Sequence, residues 1–140
     1  MRYVCDAPGG ATWFRFETEA EAEAEAALMH HAVDKYFRRY MAAARESYRA
    51  PKSAASFEQD IGLNDHIARA MPMFLTLRAD DGAGLATAML PPQARRQADF
   101  RILIVGQENA DPYLTHGSAI EALARHFKIE LPREQCYPYA

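Results

Sequence analysis

From Thr18 to Arg49 the chain runs without a glycine or a proline. Within that run Met29, Val33, Tyr36, Phe37, Tyr40, Ala44 and Tyr48 recur at i, i+3 and i+4, the spacing of one apolar stripe on a helix. The entry carries its own start signal. The Thr18 hydroxyl can accept from the Glu21 amide while the Glu21 carboxylate reaches back, a capping box. Glu19, Glu21, Glu23 and Glu25 crowd the first turns, and Lys35, Arg38, Arg39, Arg45 and Arg49 the later ones, both in accord with the helix dipole. Pro51 ends the run. As one helix it would be about 48 Å long at ~1.5 Å per residue, against a diameter of roughly 37 Å for a compact domain of this size. The pattern therefore predicts a helix over 18–49 that protrudes, bends around the body or carries a partner. The Glu-Ala lead-in has little to bury and is expected to be solvated. A fold-back is expected to break near Ala42 to Ala44.

The remaining pattern is mostly of strand type. Tyr3 to Cys5 and Thr12 to Phe16 flank the turn cluster Ala7-Pro8-Gly9-Gly10 and predict a hairpin. Alternation places Trp13 with Arg15 on one face, and Thr12, Phe14 and Phe16 on the other. The Phe pair is expected to face the core, with Trp13 partly exposed or beneath the long helix. Residues 51–56 read as a polar loop, Phe57 to Ile61 as a short strand, and Leu63 to Ala70 as a short helix stopped by Pro72. Met73 to Arg78 and Leu85 to Leu90 form a second predicted hairpin around Asp80-Asp81-Gly82-Ala83-Gly84. Phe100 to Val105 is apolar on both faces after Arg101 and reads as the central strand. A helix follows from Thr115 or Ser118 to Phe127. The order lacks βαβ alternation. It predicts an α+β fold over 1–140: a mainly antiparallel sheet, two hairpins plus a central strand, covered on one face by one long and one or two short helices.

Composition narrows the function classes. Hydrophobic residues make up 49% and charged residues 25% of the 140, values typical of a globule with a core. The net charge of −3 argues against bulk attraction to nucleic acid or an anionic membrane. The longest apolar runs are too short to span a bilayer, and the opening MRYVCDAPGG lacks the apolar segment of a signal peptide. The expectation is an intracellular, cytoplasmic protein whose two cysteines, Cys5 and Cys136, are free thiols.

No P-loop, GxGxxG, GxSxG, CxxC or HExxH stands in the chain, so no catalytic residue, metal or cofactor is assigned. His30 and Asp34 lie one helical turn apart, beside His31, but two ligands make no metal site. Asp65 and His66 sit near Glu58 and Asp60. A histidine among carboxylates can act as a base, and a helix start explains the Asp equally. The loop from Gly106 to Ser118 leaves the apolar strand and enters a helix, where orphan amides attract polar ligands. Its candidate ligand-binding residues are Asn109, Asp111, Thr115, His116 and Ser118. The leading expectation is a non-catalytic protein-interaction module that self-associates as a homodimer, with Tyr36, Phe37, Tyr40 and Tyr48 at the seam. A small enzyme or small-molecule binder using 106–118 is the alternative. Nucleic-acid binding through the arginine-rich half of the long helix is the weaker one.

Overall fold

The computed structural model of the chain describes residues 1–53 and 55–140. Position 54, inside the predicted 51–56 loop, lies outside the described residues. The fold is α+β. Five strands form one antiparallel meander in the order β1 (Arg2–Asp6), β2 (Thr12–Phe16), β3 (Met73–Arg78), β4 (Gly84–Leu90) and β5 (Leu103–Val105). Both predicted hairpins are present. Three helices connect β2 to β3: α1 (Glu19–Met29), α2 (Val33–Ser47) and α3 (Ser56–Ala70). The fourth, α4 (Tyr113–Phe127), follows β5.

The sheet is covered on both faces, not one. Alternation along the strands explains how. Trp13, Leu75, Leu77, Ala86, Ala88, Ile102 and Ile104 point to the side closed by Ala119, Ile120 and Leu123 of α4. Phe16, Phe74, Met89, Leu103 and Val105 point to the side closed by Ala22 and Ala26 of α1 and by Val33, Phe37 and Ala44 of α2. Trp13 is thus fully buried, contrary to its expected partial exposure, and its indole Nε1 donates to the Ala119 carbonyl at 2.8 Å. The helix it lies under is α4.

The run 18–49 is two helices, and neither protrudes. The predicted capping box at Thr18 and Glu21 is present. The break falls at 30–32, directly after Met29, and not at Ala42 to Ala44. His30 turns left-handed (φ 55°), and the amides of His30 and His31 both return to the Ala26 carbonyl. No glycine marks this left-handed position, and the apolar spacing runs through it from Met29 to Val33 and Phe37. Tertiary contact sets the bend. Gly84 lets the end of α1 approach β4 so closely that a Cβ there would meet Met29 Sδ at 2.5 Å and Leu28 Cδ2 at 2.9 Å. Turning at 30–32 lays both halves on the sheet, so the Glu-Ala lead-in buries Ala22, Glu25, Ala26 and Met29 on one stripe.

Two further elements differ from their sequence reading. The stretch Phe57 to Ile61 is helical and is the first half of α3. Gly62, at mid-helix, admits the Tyr48 hydroxyl where a Cβ would collide with it. Phe100 to Val105 yields only the short strand β5, which lies at an edge; β3 holds the centre. An apolar run reports burial on both faces, and β5 has that burial while lacking a strand on its outer side. There the tail covers it instead: Tyr137 donates its amide to Ile102 and accepts from Ile104. Cys5 on β1 and Cys136 beside β5 therefore occupy opposite sheet edges, and the strands β1 and β5 alone are about 19 Å apart at ~4.8 Å per strand step. Both are free thiols, and a bridge between them needs Cα atoms within ~7 Å.

Candidate functional site

The loop after β5 folds back on itself before α4 begins. The Gly106 amide donates to Ala110 at 2.7 Å, and Glu108 and Asn109 adopt left-handed angles between them. Asp111 then anchors the helix start. Its Oδ1 accepts the Tyr113 amide at 2.9 Å, and its Oδ2 meets Arg133 Nε at 2.6 Å. The Tyr113 amide, followed by the Arg133 guanidinium, holds this carboxyl below its ordinary range. Both oxygens are engaged in structure. His116 has non-helical angles (φ −123°, ψ 22°) and kinks the first turn of α4.

Of the five predicted ligand-binding residues, Asp111, Thr115 and His116 gather at one hollow of about 170 Å³, with Gly84, Gly106 and Gln107. That volume is below the ~300–1,000 Å³ of ordinary ligand pockets. Ser118 opens instead onto a groove of about 880 Å³ between α4 and residues 128–135, and Asn109 lines neither. The groove has Ile120, Ala124, Ile129 and Leu131 along its floor and a rim of mixed charge, Glu121, Arg125, Lys128 and Glu134 among them. At its end Tyr113 donates its hydroxyl to the Leu131 carbonyl, and burial raises the pKa of that phenol.

The other sequence constellations dissolve. His30 sits in the bend, and Asp34 pairs with Arg38 at 3.0 Å, so the two no longer share one helix face. His66 Nε2 lies 2.7 Å from Ser47 Oγ, with its ring 5.5 Å from that of Tyr48. Among the described residues no group of three or more His, Cys, Asp or Glu is placed to hold a metal ion. No helix among them is long and apolar enough to cross a membrane. The four predicted seam aromatics turn toward their own chain. Phe37 is 2% exposed, with its ring 5.1 Å from Phe74 and 6.5 Å from Phe16. Tyr40 stacks near Phe100 at 6.0 Å, Tyr36 lies under Arg39, and Tyr48 packs on α3.

The most organised polar site was not legible as one in the sequence. Register sets Thr76 directly opposite Thr87, and both are fully buried beneath α1. Glu25, 1% exposed, reaches down to them. Its Oε1 takes Arg78 at 2.9 Å and its Oε2 takes the Thr87 hydroxyl at 2.5 Å. Arg78 Nε donates to Thr76 at 3.0 Å, and His31 Nε2 lies 2.8 Å from Thr87 Oγ1. A buried ion pair must satisfy its remaining valences internally, and here two threonines and a histidine do so. The available signal was Glu25 on the Ala22–Met29 stripe, together with threonines on inward strand positions.

No family model, no curated protein and no solved structure matches the chain.

Proposed function

We propose that this protein acts by contact with another macromolecule, and that its first partner is a second copy of itself. One observation carries the reading. The helix α3 has no buried residue along its whole length, yet holds Phe57 and Ile61, one turn apart, 65% and 58% exposed. Two large apolar side chains left in water on one helix face support reading that face as a contact surface. Covering each contributes roughly 1.5–3 kcal/mol.

Charge supports a second copy of the chain as that partner. Around Phe57 and Ile61, α3 carries Glu58, Asp60 and Asp65 against Arg69 alone. The neighbouring α2 carries Lys35, Arg38, Arg39 and Arg45 against Asp34 and Glu46. A two-fold axis that sets α3 of one copy on α2 of the other brings acid to base twice, as an isologous contact requires. The nucleic-acid alternative draws on the same arginines, against a net charge of −3 over the chain.

Sedimentation equilibrium tests the reading. The expected species has twice the 15.7 kDa of one chain, weakens with added salt, and becomes a monomer in the Phe57→Ser, Ile61→Ser variant. A 15.7 kDa species at every concentration, or a dimer indifferent to that variant, overturns it.

A further inference from the structure

We propose that the bend between α1 and α2 is a pH-responsive hinge, latched by the neutral His31 ring and released when that ring takes up a proton. The hydrogen bonds fix the protonation state. A carboxylate only accepts, so the Thr87 hydroxyl proton belongs to Glu25 at 2.5 Å. Thr87 Oγ1 must then accept from His31, and Nε2, at 2.8 Å, carries the ring's hydrogen. The Val33 amide can only donate, and it lies 3.3 Å from His31 Nδ1. That nitrogen accepts with its lone pair and supplies the start of α2 with the cap that Ala32 cannot give. Both ring nitrogens are committed, and the ring is neutral.

A proton entering the ring has only Nδ1 to occupy. It sets a donor against the Val33 donor, removes the cap, and places positive charge at the positive end of α2. The groups facing the ring come from every packed element. Glu25 on α1 and Asp34 on α2 favour the charged ring. Arg78 on β3 is bonded to the same Glu25 carboxylate and offsets it, and Thr76 and Thr87 are uncharged. Burial outweighs the attraction of Glu25, the ring's hydrogen bonding to its own backbone and the attraction of Asp34, and holds the imidazole below its ordinary range. The sign follows. The folded junction binds this proton less readily than the open one, so opening becomes easier as pH falls below about 6.5.

Hydrogen exchange and an NMR titration of the intact chain test the hinge. After correction for intrinsic rates, opening at His30, His31 and Val33 should rise by up to about tenfold per pH unit below pH 6.5, the linkage of one proton. Amides in α4 should not follow. The His31 ring should titrate below its ordinary value, and His31→Gln, neutral throughout, should abolish the pH dependence while exposed His30→Gln keeps it. A His31 midpoint at or above its ordinary value overturns the proposal, as does equal acid loosening of α4. The wild-type titration decides the matter even if the Gln variant does not fold.

Discussion

The two faces of the sheet are built from alternate residues of the same strands, yet they differ in kind. The α4 face is a continuous apolar layer from Ala11 and Trp13 to Ile104, and its one indole is satisfied by a helix carbonyl. The opposite face is divided. Phe16, Phe37 and Phe74 cluster under α2. Under α1 lie Glu25, Arg78, Thr76, Thr87 and His31. Apolar burial is additive and forgiving of small errors in direction. A buried polar network has value only while every member keeps its partner. The first face therefore supplies stability, and the second makes the position of α1 conditional.

Substitutions can break this contrast, beginning with the largest effect. Trp13→Ala empties the centre of the apolar face and should cost about 3–5 kcal/mol in urea unfolding. Glu25→Ala should come next, at about 3 kcal/mol, because Arg78 and Thr87 are left buried without their acceptor. The double variant Glu25→Leu, Arg78→Met sharpens the point. It should recover the part of that loss that comes from Arg78, while Thr87 still lacks its acceptor and Thr76 loses its donor. Equal losses in the single and double variants would mean that shape, and not pairing, matters there. Asp111→Ala, outside both layers, should lower stability by about 1 kcal/mol through the lost turn and helix anchor. That contribution is present above the ordinary carboxyl range and vanishes as pH falls through the lowered Asp111 pKa, which an acid titration of parent and variant would display. Last, Phe57→Ser with Ile61→Ser should change the stability of the dissociated chain by less than about 0.5 kcal/mol.

The same contrast explains what could be read from sequence. Strand periods, turn clusters and the capping box at Thr18 are local, and these gave both hairpins and the start of α1. The bend at 30–32 was hidden because its cause is distant: Gly84 and Thr87 lie on β4, and the helical spacing continues across the break. Phe57 to Ile61 resembled a strand because five residues with a bulky residue at each end fit either period. The edge position of β5 depends on Tyr137, far along the chain. At the candidate loop, the residue types alone offer Asp111 and His116 as ligand-binding candidates. What the spacing could not show was that Arg133 arrives from the tail to occupy the carboxylate.

The chain has one tryptophan, and it sits wholly inside the α4 layer with its nitrogen tied to Ala119. Its emission is therefore a private channel for one half of the molecule. Intrinsic fluorescence should remain blue while the α1–α2 side loosens, and shift to the red only when the α4 layer opens. Backbone circular dichroism, which registers all four helices, should depart earlier on acidification. Any gap between the two curves would measure, without a label, how independently the two sides of a single sheet can come apart.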